Sequence, residues 1–111
     1  MKYLIVDDSK IMRETIIRTL LRNGNVFKEC EDGDEAIKTY SEFLPDWVLM
    51  DIKMQRIDGL KATKEIKKNH PDAKIIIVTN YGGSAFQKAA IEAGANAFIS
   101  KNSLYELNKY L

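Results

Sequence analysis

An α/β domain of five parallel strands, each followed by a helix, is the fold class this sequence predicts, and two observations predict it. Short apolar runs alternate with amphipathic segments along the whole chain, which is the pattern of βαβ units. Three of those runs are nearly unbroken stretches of apolar residues, as strands covered on both faces by helices require. The 111 residues leave room for one domain, residues 1–111. Ile, Leu, Val and Phe exceed a quarter of them, enough for a core without disulfides or a structural metal.

The elements follow in order. Tyr3-Leu4-Ile5-Val6 is the first strand. Met12, Ile16 and Leu20 then recur at helical spacing, as do Ile17 and Leu21, until Asn23-Gly24 stops the helix. Val26 to Cys30 is a weaker, more alternating strand that belongs at an edge. The second helix starts after Asp32-Gly33 and turns Ile37, Tyr40 and Leu44 inward before Pro45. Trp47 to Met50 is the third strand, and the helix after Asp58-Gly59 buries Leu60, Thr63 and Ile66, ending near His70-Pro71. Ile75 to Val78 is the fourth strand. Its helix follows Gly82-Gly83, carries Phe86, Ala89, Ala90 and Ala93, and closes at Gly94. Ala95 to Ile99 is the fifth strand, and Leu104, Leu107 and Leu111 mark a short last helix. Parallel crossovers are right-handed, so five such units form an open doubly wound sheet, and a flavodoxin-like order 2-1-3-4-5 sets strands one and three together at its centre.

Composition removes several classes of function. Lys and Arg number 17 against 16 Asp and Glu, a net charge of +1, so no global field draws the molecule to nucleic acid or an anionic membrane. The single cysteine, Cys30, cannot form an internal disulfide, and no Cys/His cluster offers a zinc site. The first apolar run meets Asp7-Asp8 too soon for a targeting segment, and no run reaches the length of a membrane span. A cytoplasmic protein is expected.

In open parallel sheets, sites form beyond the carboxyl ends of the strands. The polar residues that end the runs are Asp7 and Asp8 after the first, Asp51 after the third, Thr79 after the fourth, and Ser100-Lys101 after the fifth. Three carboxylates, a hydroxyl and an ammonium therefore converge on one crevice. Carboxylates crowded in a partly enclosed site share protons or bind a cation, and oxygen ligands completed by water suit Mg²⁺. A carboxylate can also attack phosphorus to give an aspartyl phosphate, with the ion and Lys101 neutralising the phosphoryl oxygens and Thr79 donating a hydrogen bond.

At this point the sequence resembles a known family, the response-regulator receiver domains of bacterial two-component signalling, and within it the single-domain chemotaxis regulators. The matching residues are Asp7-Asp8, Val48-Leu49-Met50-Asp51, Asp58-Gly59, Val78-Thr79 and Phe98-Ile99-Ser100-Lys101, with fitting spacing over essentially the whole chain. The resemblance implies that Asp51 is the phospho-acceptor and that Asp8 chiefly, with Asp7 and the backbone carbonyl of Lys53, holds Mg²⁺. It implies that Lys101 binds phosphoryl oxygens and that Thr79 and Phe98 form a switch pair, reshaping the face of helix four, strand five and helix five. It implies partners: a sensor histidine kinase or phosphotransfer protein upstream and a protein target downstream, with no direct nucleic-acid or membrane partner, in a monomer or weak homodimer. Lys53 and Tyr81 stand where the family tunes loss of the phosphoryl group, and are expected to shield it from water.

The sequence also departs from the family's habits. Asn102 follows Lys101 where proline after a cis bond is common. A cis bond before a non-proline residue costs about 3 to 4 kcal/mol, so a trans bond with a rearranged loop, or a strained one, is expected. Gln55 replaces a frequent proline, and Asn80 a frequent alanine, narrowing access to Asp51.

Blander explanations apply residue by residue. Asp7-Asp8 alone would be an acidic pair at a helix N-terminus, Phe98 a core residue, Thr79 a β-branched strand residue and Lys101 a surface lysine. The set as a whole favours the site. His70 fits an exposed turn, Trp47 packing, and Lys61, Lys64, Lys67 and Lys68 a solvated helix face. Two competing classes are a degenerate receiver that binds proteins without phosphorylation and a flavodoxin-like cofactor protein. No glycine-rich or hydroxyl-rich turn cradles a phosphate, which counts against the second. A piece of a longer regulator is a further alternative, consistent with the short last helix.

Overall fold

The computed structural model describes residues 1–80 and 82–111, and Tyr81 lies outside the described residues. The elements are β1 (Lys2–Val6), α1 (Lys10–Leu20), β2 (Val26–Cys30), α2 (Gly33–Phe43), β3 (Trp47–Met50), α3 (Gly59–Asn69), β4 (Ile75–Thr79), α4 (Ser84–Glu92), β5 (Ala97–Ser100) and a final 3₁₀ segment, Lys101–Lys109. The strands form one parallel sheet in the order β2-β1-β3-β4-β5, the flavodoxin-like arrangement that the alternation predicts.

The period of two along each strand divides the core into two layers. Leu4, Val6, Val48, Met50, Ile75 and Ile77 face α2, α3 and α4 through Ala36, Tyr40, Ala62, Ile66 and Ala90. Tyr3, Ile5, Trp47, Leu49, Ile76, Val78 and Ile99 face α1 and the 3₁₀ segment through Ile16, Leu20 and Leu107. β1, β3 and β4 are thus apolar on both faces, while β2 exposes Val26, Lys28 and Glu29 at the edge.

Side-chain caps fix where the helices begin. Ser9 Oγ accepts from the amide of Met12, Asp32 Oδ1 from Glu35 and Asp58 Oδ1 from Lys61, at 3.2, 3.0 and 2.9 Å. Gly83, with φ 104°, precedes α4 without a side-chain cap.

Four expectations need correction. Leu21 and Leu44 continue the helical spacing on paper, yet both are C-cap residues where the chain leaves the helix, and both are exposed. Leu44 adopts the left-handed conformation, φ 48° and ψ 64°, which turns it away from the face that Ile37 and Tyr40 share. β5 begins at Ala97 rather than Ala95. Asn96 instead docks on β4 by itself, its amide donating to Ile75 O at 2.8 Å and its Oδ1 accepting from Ile75 N at 2.9 Å. The last helix is 3₁₀ and broken at Ser103, φ −129° and ψ 41°. Its Leu107 is nevertheless buried, and Leu104 and Leu111 pack beside it. The Lys101-Asn102 bond is trans, and the irregular backbone at Ser103 is the rearranged loop that the missing proline leads one to expect. Among the described residues, no helix is long and apolar enough to cross a membrane.

Candidate functional site

Asp7 emerges where β1 ends, and its surroundings hold it on every side. Its amide donates to Cys30 O at 3.1 Å, its carbonyl accepts from Arg13 Nη1 at 2.7 Å, and Oδ1 accepts from the amide of Ser9 at 2.9 Å. Oδ2 is fully buried and accepts no hydrogen bond of ordinary geometry, its contact being the ammonium of Lys101 at 2.8 Å. Asp7 is 1% exposed, so this is an anion held out of water.

Asp51 occupies the matching position one strand over. Its amide extends the ladder to Val6 O at 2.9 Å, which brings the first residue beyond β3 alongside the last of β1. Oδ1 accepts from the amide of Ile52 at 2.8 Å, and Oδ2 lies 3.3 Å from Lys101 Nζ. Burial, and then the negative charge of Asp7, push the Asp51 carboxyl up to about 6, against the opposing pull of Lys101 and the Ile52 amide. Lys101 is raised. Burial alone would lower it, but its close pairing with Asp7 at 2.8 Å and the charges of Asp51 and Asp7 outweigh that.

Asp8 completes the group from the solvent side. Oxygens of Asp7, Asp8 and Asp51 all lie within 4.8 Å of one another, two from buried residues and one from an exposed residue. Beside Asp8 a recess of about 110 Å³ is lined by Glu31, Asp32 and Gln55. The donor set suits a hard divalent cation: three converging carboxylates, more negative charge than the one ammonium of Lys101 offsets, and an open side for water.

The loop that carries Asp51 is pinned to its neighbours by backbone. The amide of Gly59 donates to Ile52 O at 2.8 Å and that of Gly33 to Ile57 O at 3.1 Å. A Cβ on Gly59 would overlap the Asp51 carbonyl oxygen, and one on Gly33 the Ile57 carbonyl oxygen. Two glycines that the sequence marks as helix starts are therefore required by close approach.

The other expected residues fall around this centre. Thr79 ends β4 and is buried. Ile77 pairs in register with both Met50 and Phe98, and Thr79 lies two residues further on, so Thr79 and Phe98 share one face of the sheet at the end where Asp51 emerges. Phe98 is half-buried and packs against the core layer of Leu4, Val6 and Ile77. Lys53 is exposed in the loop after Asp51, its ammonium 5.9 Å from the ring centre of Phe86 on α4. Asn80 is exposed.

One residue escaped the sequence reading. Arg13 is 7% exposed, bonded to the Asp7 carbonyl and paired with Glu29 at 2.9 Å and Glu31 at 3.9 Å. The available signal was its place three residues before Ile16, on the inward face of α1.

Comparison with known proteins agrees with this geometry. The family model for the response regulator receiver domain matches residues 3–110. The chain is 44% identical over 101 residues to the chemotaxis protein CheY of Bacillus subtilis, covering 90% of this chain and 84% of that protein. It is 42% identical over 98 residues to CheY of Halobacterium salinarum, covering 88% and 82%. Among solved structures, a LuxR-family two-component response regulator from Aurantimonas superposes with a TM-score of 0.90 at 36% identity, covering 97% of this chain and 79% of that one. With its strand order, its acidic cluster and these relatives in agreement, the chain belongs to the response regulator receiver domain family of two-component systems.

Proposed function

We propose that residues 1–111 form a single receiver domain that takes a phosphoryl group on Asp51 and passes the change to a protein partner. The observation that carries this reading is the Asp51 carboxylate itself: buried at the centre of the sheet, flanked by Asp7 and held by Lys101. A phosphohistidine on a sensor kinase or phosphotransfer protein supplies the group. An Asp51 oxygen attacks phosphorus, the P–N bond breaks with its electron pair returning to the imidazole, and the imidazole takes up a proton. Water later cleaves the acyl phosphate to the free carboxylate and inorganic phosphate.

Asp8, Asp7, Asp51 and the backbone carbonyl of Lys53 hold Mg²⁺ in this reading. When bound, the ion supplies charge neutralisation for the phosphoryl oxygens. Lys101 follows the new charge, because an ammonium that already spans Asp7 and Asp51 needs only a small rotation to reach oxygens on Asp51. Thr79 donates to the phosphoryl group, and Phe98 turns into the space the threonine leaves. Lys53 shields the acyl phosphate, with Tyr81 assigned the same role from the sequence. Ile91 and Tyr105 expose apolar surface on α4 and the 3₁₀ segment, which flank β5 and give the partner a face to read. The protein acts in the cytoplasm, as a monomer or weak homodimer.

The test is intact mass after incubation with Mg²⁺ and acetyl phosphate, beside Asp51→Asn and a chelator control. The expected result is one added phosphoryl mass that needs both Asp51 and the ion. A folded protein that binds Mg²⁺ and gains no mass would instead be a phosphorylation-independent binding module.

A further inference from the structure

We propose that Arg13 is a positioning residue for the cation-binding loop, an inference that rests on the phospho-acceptor reading above. A guanidinium withdrawn this far from water needs partners, and its partners define what it does. Nη1 donates to the carbonyl oxygen of Asp7 at 2.7 Å, in a fully buried contact. Nε donates to Glu29 Oε1 on β2 at 2.9 Å, while Nη2 lies 3.9 Å from Glu31. The amide of the same residue donates to Ser9 O at 3.0 Å. Arg13 therefore ties α1, the edge strand and the loop that carries both Asp7 and Asp8 into one unit.

The bond to the Asp7 carbonyl is the informative one. That oxygen belongs to the peptide plane shared by Asp7 and Asp8, and a peptide plane is rigid. Holding the oxygen fixes the plane, and the plane sets the directions from which both carboxylates leave the chain. Oxygens of those two residues and of Asp51 lie within 4.8 Å of one another. Like charges so close would separate if the plane could rotate. Arg13 opposes that rotation from behind, without touching the oxygens that face a cation.

Arginine is the residue the geometry asks for. Its planar fork sends donors in fixed, divergent directions, so one side chain can hold the Asp7 carbonyl and the Glu29 carboxylate together. A lysine keeps the charge but cannot reproduce both bonds in that arrangement. Glu29 plays a supporting part: it neutralises the guanidinium and holds it from the β2 side.

The experiment is calorimetric titration of the unphosphorylated full chain with MgCl₂, comparing wild type, Arg13→Lys, Arg13→Gln, Glu29→Gln and Ile16→Val. Thermal midpoints are recorded for every variant. Ile16 lies on the buried face of α1, in the core layer with Tyr3, Ile5 and Leu20, so Ile16→Val reports what lost stability alone does. Arg13→Lys is expected to weaken Mg²⁺ binding about tenfold, the usual scale for losing a group that orients metal ligands. Glu29→Gln, which retains the bond to Asp7, should weaken it less, and Ile16→Val should bind as wild type does. Acetyl phosphate labelling at saturating Mg²⁺ should then return Arg13→Lys close to the wild-type extent.

Wild-type Mg²⁺ affinity in a folded Arg13→Lys protein would overturn the proposal, as would an equal weakening in Ile16→Val. If Arg13→Gln fails to fold, Arg13→Lys with its retained charge decides. Absence of both Mg²⁺ binding and phosphoryl gain in wild type would bring down the phospho-acceptor reading and this proposal with it. A wild type that does both while Arg13→Lys is unaffected removes the Arg13 role alone.

Discussion

The ammonium of Lys101 sits closer to Asp7 Oδ2, at 2.8 Å, than to Asp51 Oδ2, at 3.3 Å. The lysine is thus anchored on the neighbour of the proposed acceptor. One cation between two buried carboxylates leaves the cluster with surplus negative charge, which a divalent ion would offset.

Removing that cation should be costly. In Lys101→Met the two carboxylates face each other without a counter-charge. Breaking a buried pair costs about 3 to 5 kcal/mol, less here because Asp51 can take up a proton. A loss of about 2 kcal/mol is expected in urea unfolding at pH 7.5, with more of it regained on adding Mg²⁺ than wild type gains. Equal midpoints for the two proteins would show that the ion pair contributes nothing.

Asp51→Asn should abolish phosphoryl gain and also stabilise the fold. A carboxyl raised from 3.8 to about 6 is harder to ionise folded than unfolded, so its charge destabilises the native state above pH 6. The penalty fades as pH falls through that window and is gone below the unfolded value. The variant should exceed wild type by about 1 to 2 kcal/mol at pH 7.5 and lose that advantage near pH 4, as read by thermal or urea unfolding. An advantage that persists at pH 4 would assign the stabilisation to something other than charge.

Phosphoryl acceptance should follow the same titration. Below about pH 6 the nucleophilic carboxylate is lost, and the initial rate of mass gain at low Mg²⁺ should drop toward tenfold per pH unit. Raising Mg²⁺ favours the charged form and should move the midpoint to lower pH. A midpoint indifferent to Mg²⁺ would place the titrating group elsewhere.

Gly59→Ala should be severe although it adds one methyl group. The new Cβ meets the Asp51 carbonyl, a backbone atom that cannot step aside without moving the acceptor. A loss of about 3 kcal/mol or more is expected, with weakened phosphoryl gain in whatever remains folded. Gly82→Ala has nothing within 4 Å of its Cβ and should change stability by about 0.5 kcal/mol or less. Similar unfolding midpoints for the two variants would contradict the packing argument.

What could be read from the sequence follows from what a linear pattern encodes. Each strand end is where an apolar run stops, so the gathering of Asp7, Asp51, Thr79 and Lys101 at one end of the sheet was visible once the units were taken as parallel. Helical spacing marks a face without saying where the helix lets go, and Leu21 and Leu44 turn outward for that reason. The spacing of Leu104, Leu107 and Leu111 marks the buried face of the last segment without distinguishing a 3₁₀ helix from an α-helix. Arg13 cannot be singled out in the sequence because its partner, Glu29, lies on β2, beyond the reach of any helical spacing. The glycines at 33 and 59 are legible as helix starts, whereas the carbonyl oxygens that exclude a side chain there exist only in three dimensions.

The two backbone clamps on the acceptor loop also bear on how this protein would tolerate redesign. Gly59 and Gly33 fasten Ile52 and Ile57 at either end, so the stretch between them has a fixed contour with no slack. An inserted or deleted residue would have to break one fastening to be accommodated. Lys53, Gln55 and Arg56 expose their side chains around that frame, Gln55 beside the recess next to Asp8 and Arg56 4.0 Å from Asp32 Oδ2. Variation in this stretch is therefore expected as exchange of side chains at those three positions, not as a change in the number of residues between the two fastenings.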